Sequence, residues 1–176
     1  MIDHTVAQIE ETQRYFRIHR YPLVNASIAG RVFEYYQLPP DMPEANHPLH
    51  FPLPDFISRV TNSQTRRYVI GVSTSVPLEL QQYFALAEYI EFIEIGIRTK
   101  GRVKQAEETI VSMLPGHLLH DYLSRKIVLF KNELDNDMKE KKSLPINQHQ
   151  YLLDGEDREE FDVAIRFFEK LLWSIK

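Results

Sequence analysis

Hydrophobic residues recur at helical spacing along most of the chain from residue 75 onward. Apolar side chains three and four residues apart fall on one side of an α-helix, so this spacing predicts amphipathic helices. Four helices are expected, over about 77–95, 102–114, 117–140 and 156–175, with glycine or proline between them. Because short connections favour antiparallel neighbours, residues 77–176 are predicted to form an antiparallel helical bundle.

The first 76 residues follow a different pattern. A helix is expected over about 3–19, with Asp3 as its N-cap. Residues 67–73 are β-branched and aromatic and lie between turn-forming polar residues, which predicts a strand. Residues 23–36 fit either an alternating strand or a helix, and we favour a strand that is bent or bulged at Gly30.

Between the two segments predicted as strands, 23–36 and 67–73, lies a proline-rich segment that we call the strap, residues 39–54. Six of the ten prolines of the chain fall within it, so its backbone is predicted to be extended. Leu49, Phe51 and Leu53, followed by Phe56, are expected to dock on the bundle, because a free linker rarely carries so many large apolar groups.

These elements predict an α+β fold that is mostly α, in a single domain covering residues 1–176. An N-terminal helix and a small strand-containing part, residues 1–76, would pack against the bundle. A chain of 176 residues can bury a sufficient core without cross-links. It contains no cysteine, which excludes disulfides, thiolate metal sites and a cysteine nucleophile.

Charge and hydropathy narrow the classes of partner. The formal net charge of −4 argues against a nucleic-acid partner. No stretch approaches the roughly 18 apolar residues of a membrane span, and the N-terminus has no signal-peptide pattern. We therefore expect a cytoplasmic protein without membrane contact.

Glu88 and Glu91 are candidate catalytic residues in the helix predicted over 77–95. At three-residue spacing their carboxylates share one side of the helix, where they could hold a metal ion for hydrolysis together with a histidine. The simpler interpretation is that both belong to the solvated face of an amphipathic helix.

His117, His120 and Asp121 are candidate metal ligands at the start of the helix predicted over 117–140. Imidazole and carboxylate groups suit zinc or another divalent metal. The alternative is that these side chains are simply solvated first-turn residues, since His117 and Asp121 project opposite the apolar stripe.

Arg98, Lys100 and Arg102 surround Gly101, just before the helix predicted over 102–114. Free backbone amides and side-chain cations converge at such a helix start, so a phosphate or another anion could bind there. The simpler interpretation is a solvated turn between two helices.

The chain contains no phosphate-binding loop, dinucleotide-binding glycine motif or nucleophile elbow. We therefore predict a non-enzymatic protein-interaction or regulatory module without a cofactor. Its partner would be a protein, with a second copy of the chain as the first candidate, contacting the last helix around Trp173 and Val163. The alternative is a hydrolase that holds a divalent metal between the two glutamates and a histidine of 117–121.

Overall fold

Five α-helices, one π-helix and a four-stranded sheet form the part of the chain that the computed structural model describes, residues 3–40, 56–143 and 155–175. The chain divides into a first unit, Asp3–Ile97, and a second unit that begins at Arg98. The first unit contains α1 (Val6–Ile18), β1 (Leu23–Ile28), β2 (Arg31–Leu38), β3 (Ile57–Asn62), β4 (Arg67–Ser73), α2 (Leu78–Tyr89) and the π-helix (Ile90–Ile95). The second contains α3 (Arg102–Met113), α4 (Gly116–Ser143) and α5 (Gly155–Ser174). The predicted α+β class is confirmed, whereas the single domain stays a prediction.

Helix α1 begins at a capping box formed by Thr5 and Gln8. The backbone N–H of Gln8 donates to Thr5 Oγ1 at 3.2 Å, and the N–H of Thr5 donates to Gln8 Oε1 at 2.9 Å. The prediction of Asp3 as the cap is therefore wrong. The Asp3 carboxylate accepts hydrogen bonds from the backbone and the hydroxyl of Ser63, which ties the N-terminal segment to the β3–β4 turn.

The segment predicted as one bent strand is a β-hairpin. β1 pairs antiparallel with β2 from Leu23↔Tyr36 to Ile28↔Arg31, and Ala29 and Gly30 make the two-residue turn. Both turn residues have positive φ, 50° and 80°, as a type I′ turn requires. The strand assignment is thus confirmed, and the bend at Gly30 is a complete reversal of the chain.

The sheet has the order β1-β2-β4-β3 and is mixed. β3 pairs antiparallel with β4, and β2 pairs parallel with β4 from Tyr36↔Gly71 to Leu38↔Ser73. β4 has the bounds expected from its sequence, whereas β3 was not anticipated as a separate strand. The two hairpins therefore meet side by side, with β1 and β3 at the outer edges.

The helices α1 and α2 cover opposite faces of this sheet. Phe16 of α1 packs against Tyr36 with ring centroids 5.0 Å apart, and Gln81 of α2 accepts a hydrogen bond from Gln37 at 2.9 Å. Successive residues of a strand point to opposite faces, so these two contacts lie on different sides of β2. The first unit is therefore a helix–sheet–helix arrangement.

Helix α2 packs on β2, β3 and β4. An antiparallel bundle that starts at residue 77 is therefore not confirmed. Its buried residues include Leu80, Tyr83, Phe84 and Leu86, which occupy more than one side of the helix. A helix with such a wide apolar surface can pack on a sheet. The spacing of its apolar residues alone does not show whether a sheet or other helices pack against it.

In the second unit, α5 packs on both α3 and α4. Phe130 of α4 contacts Phe161 and Phe168 of α5, with ring centroids 4.9 and 5.7 Å apart. Lys131 pairs with Glu169 near one end of the contact, and Asp137 pairs with Arg158 farther along α4. From the first ion pair to the second, the residue number rises on α4, from 131 to 137, and falls on α5, from 169 to 158. The two helices are therefore antiparallel.

Most of the strap lies outside the described residues, including Leu49, Phe51 and Leu53, so its docking stays a prediction. Phe56, which follows it, is described. Its side chain is 2% exposed, and its carbonyl accepts the backbone N–H of Ser73 at 3.0 Å. The chain therefore enters β3 with a large apolar residue already in the core.

Tyr35 of β2 gives the first unit a predictable response to alkaline pH. Burial raises the pKa of its phenol, because the charged phenolate loses hydration in the core. The unfolded chain releases this proton near pH 10, whereas the folded chain retains it to higher pH. The contribution of the neutral Tyr35 phenol to the free energy of unfolding is therefore complete below pH 10, and it is lost as the pH rises through the pKa of the folded state.

We expect the free energy of unfolding to fall more steeply above pH 10 in the wild type than in Tyr35→Phe. Urea denaturation at several pH values between 8 and 11 measures both slopes. Equal slopes in the two proteins would contradict this assignment.

Candidate functional site

The two glutamates predicted as catalytic lie where α2 changes into the π-helix. Glu88 is in the last turn of α2 and is half-buried, while Glu91 lies in the π-helix and is only 7% exposed. The expectation that both belong to a solvated face is therefore wrong for Glu91. The wider turn of a π-helix changes which residues face the sheet, and π-helices occur often at functional sites.

Arg59 of β3 approaches the same segment from the sheet. Its guanidinium carbon lies 3.7 Å from the centroid of the Phe92 ring, a cation–π geometry. Its Nη1 also donates to Thr61 Oγ1 at 3.0 Å. Arg59 therefore holds the π-helix against β3 through the buried ring of Phe92.

Three aromatic rings line the adjoining part of the sheet. Tyr89 stacks on Phe33 with centroids 6.0 Å apart and meets Tyr68 edge-on at 5.4 Å. The Tyr68 hydroxyl accepts the backbone N–H of Glu34 at 3.2 Å. Burial is the main cause that raises the pKa of Tyr68, because the charged phenolate would lose hydration there.

The C-terminal end of the π-helix is held by two arginines. Arg66 donates from Nη2 to the carbonyl of Ile93 at 2.6 Å, and Arg31 Nε pairs with Glu94 at 2.7 Å. Cations at this end complement the helix dipole and satisfy carbonyl groups that have no partner within the helix. These contacts explain the π-helix as an anchored end of α2, and the catalytic role of Glu88 and Glu91 stays a prediction.

The turn predicted to bind an anion leads into α3. Arg98 and Lys100 are exposed, whereas Arg102 is buried and pairs with Asp157 of α5. A carboxylate oxygen of Glu160 accepts the N–H of Gly101 at 2.8 Å, and the other accepts the N–H of Val103 at 3.2 Å. The start of α3 therefore contacts carboxylates of the same unit, and the binding of a phosphate or another external anion by Arg98, Lys100 and Arg102 stays a prediction.

The three candidate metal ligands lie in the first turns of α4. His117 and His120 are exposed, and Asp121 accepts a hydrogen bond from Arg125 Nε at 3.0 Å. Within residues 3–40, 56–143 and 155–175, no group of three or more histidine and carboxylate side chains is arranged to hold a metal ion. The glutamates belong to the first unit and these residues to the second. The metal assignment stays a prediction.

A buried charged cluster between α3 and α4 was not anticipated. Lys126 is 1% exposed, and its Nζ lies 3.1 Å from Glu107 Oε1, while the Tyr122 hydroxyl donates to Glu107 Oε2 at 2.6 Å. The sequence does contain a signal for it. Tyr122 and Lys126 are four residues apart beside the apolar stripe of α4, and Glu107 is four residues after the buried Val103 of α3.

Trp173 lies near the end of α5 and is 75% exposed. The same helix buries Phe161, Ile165 and Phe168 against its neighbours, so its core face is already occupied by other residues. Val163, on the other flank, is half-buried. Trp173 therefore leaves a large apolar side chain accessible outside the core face of α5.

None of the helices in the described ranges is both long enough and apolar enough to cross a membrane. Comparison of the chain with protein-family models, curated proteins and solved structures found no match.

Proposed function

We propose that the chain is a non-enzymatic protein-interaction module that holds a partner protein on one exposed side of α4 and α5. The observation that carries this proposal is the exposure of Trp173. Tryptophan is among the residues that contribute most to binding energy when an interface covers them.

The contacts between α4 and α5 define the extent of this surface. Lys131 and Glu169 form an ion pair with 3.3 Å between Nζ and Oε2. Val128 precedes Lys131 by about one helical turn, and Trp173 follows Glu169 by about one turn. Because the helices are antiparallel, both steps lead in the same direction, and the two exposed apolar side chains lie on the same side of the helix pair.

The resulting α4–α5 surface consists of Val128, Lys131, Glu169 and Trp173. It combines an apolar patch with a solvent-exposed ion pair of both signs at its border. Protein interfaces commonly have this organisation, with apolar anchors at the centre and charged residues at the rim. An isolated exposed ion pair contributes little stability, so it is available for contacts with a partner.

Replacing Trp173 with serine should abolish partner binding without unfolding the chain, because the side chain is largely exposed already. We expect affinity purification with tagged protein to recover a partner with the wild type and to lose it with Trp173→Ser. The loss corresponds to about 2 kcal/mol or more, roughly a thirtyfold weaker complex. Ile18→Ser is the matched control, because Ile18 of α1 is 68% exposed and lies in the other unit.

A second measurement uses the fact that Trp173 is the only tryptophan of the chain. Its fluorescence emission should shift to shorter wavelength when the purified partner covers it, after the emission of the partner is subtracted. Equal recovery by the wild type and both variants, or emission that is unchanged by a bound partner, would contradict the proposal.

A further inference from the structure

The two edges of the sheet differ in how they are covered. At the β3 edge, the N–H of His4 donates to the carbonyl of Thr61 at 2.8 Å, and the N–H of Thr61 donates to His4 Nδ1 at 3.3 Å. Asn62 Nδ2 also donates to the carbonyl of His4 at 2.7 Å. At the other edge, β1 pairs with β2 alone among the described strands.

The hydrogen bonds of the first hairpin determine which backbone groups of β1 point outward. The N–H of Gln37 donates to the carbonyl of Pro22 at 2.8 Å, so these two residues form a hydrogen-bonded pair. Hydrogen-bonded and non-bonded pairs alternate along an antiparallel ladder. The pairs Val24↔Tyr35 and Ala26↔Phe33 are then bonded, and the N–H and C=O groups of Leu23, Asn25 and Ser27 point away from β2.

Natural sheets protect exposed edges with charged residues, proline or bulges. β1 has none of these within Leu23–Ile28, because its six residues are Leu-Val-Asn-Ala-Ser-Ile and all of them pair in register with β2. β3, by comparison, carries Arg59 and is contacted by the N-terminal segment. β1 is thus an uncharged, regular edge that can accept another strand.

We propose that a second copy of the chain pairs antiparallel with β1, which joins the two four-stranded sheets into one continuous sheet. The twofold axis passes through Asn25, because a symmetric antiparallel pair must place one residue opposite its own copy and Asn25 is the central outward-pointing residue. This register pairs Leu23 with Ser27 of the partner subunit. The three outward-pointing residues of each copy then form about six hydrogen bonds across the axis.

The side chains of β1 are suited to its own copy. In this register Val24 lies opposite Ala26 of the partner subunit, so half-buried apolar groups on the α2 side of the sheet cover one another. On the other side, the two Asn25 amides meet at the axis. No like charges are brought together, because the strand has no charged residue. This self-complementarity favours a second copy over an unrelated strand.

The first test compares two variants at Asn25. The outward N–H of Asn25 makes no ladder bond to β2, so Asn25→Pro removes one donor from each copy, and thus two of the about six hydrogen bonds of the dimer, and leaves the hairpin bonds in place. We expect sedimentation of the wild type between about 5 and 500 µM to rise from the 20.8 kDa monomer toward twice that mass, as is typical of a small interface. Asn25→Ala should behave like the wild type, and Asn25→Pro should remain monomeric.

Asn25→Lys gives a second variant that should disrupt the dimer if Asn25→Pro fails to fold, because it places two like charges at the twofold axis.

The second test locates the axis by cross-linking, since the chain contains no cysteine of its own. In the proposed register the two Cα atoms at position 25 are about 5.5 Å apart, within the range of a disulfide. Asn25→Cys should therefore form a disulfide-linked dimer on mild oxidation. Ser27→Cys is the matched control on the same strand and face, because its two copies would be about 14 Å apart and should not cross-link.

Three results would overturn the proposal. The first is a wild type that remains monomeric across the whole concentration range. The second is equal cross-linking of Asn25→Cys and Ser27→Cys. The third is a dimer that Trp173→Ser dissociates and Asn25→Pro does not, which would place the contact on α5 as the sequence first suggested.

Discussion

Replacing Glu107 with alanine is expected to destabilise the second unit by about 3–5 kcal/mol. The carboxylate lies 3.1 Å from Lys126 Nζ and accepts the Tyr122 hydroxyl at 2.6 Å, and all three side chains are buried. Without it, the buried ammonium group of Lys126 loses the carboxylate that lies 3.1 Å away, and the Tyr122 hydroxyl loses its acceptor. Losing a charged partner of a buried cation costs more than losing a neutral contact of the same size.

The double variant Glu107→Ala/Lys126→Met separates these contributions. Methionine has a similar length and no charge, so the double variant should be more stable than Glu107→Ala alone by about 1–3 kcal/mol. Urea denaturation followed by circular dichroism measures both differences. A Glu107→Ala variant that loses less than about 1 kcal/mol would contradict the buried ion pair.

Gly71→Ala is expected to cost about 3 kcal/mol in the first unit. A Cβ atom at Gly71 would lie 2.9 Å from Leu38 Cγ and closer still to one of its methyl groups. Leu38 is itself fully buried on the neighbouring strand β2, so it has little room to move. The glycine therefore allows β2 and β4 to pair in parallel with a large side chain between them.

Gly116→Ala is the matched control, because a Cβ there meets no atom within 4 Å. Its free energy of unfolding should stay within about 0.5 kcal/mol of the wild type. In a Leu38→Val background, Gly71→Ala should lower the free energy of unfolding by less, since the smaller valine leaves room for the added Cβ atom. Equal stability of Gly71→Ala and Gly116→Ala would show that the contact does not limit packing.

The local sequence pattern was sufficient to predict an element whose own residues strongly favour one type of secondary structure. β4 has the predicted bounds because Tyr68, Val69, Ile70 and Val72 favour a strand strongly and polar residues flank them. The first hairpin was only half anticipated. Its turn is Ala29-Gly30, and an alanine with positive φ is not the asparagine or aspartate that normally signals a type I′ turn.

The parts that could not be predicted depend on contacts between distant segments. The apolar residues of α2 fit a sheet or a bundle equally well, and only the meeting of the two hairpins provides the sheet. Likewise, Lys126 looks like a solvated residue until Glu107 of another helix lies beside it. The carboxylate that accepts the backbone N–H of Val103 at the α3 start belongs to Glu160, which lies 57 residues farther along the chain, so the local sequence could not indicate this contact.

The parallel pairing of β2 with β4 has a consequence for folding kinetics. Each hairpin joins residues that are close in sequence, so either can form early at low entropic cost. Pairing of the two hairpins requires only that Tyr36–Leu38 form hydrogen bonds with Gly71–Ser73. This pairing closes a much longer loop than either hairpin turn does. We therefore expect the pairing of β2 with β4 to limit the folding rate of the first unit.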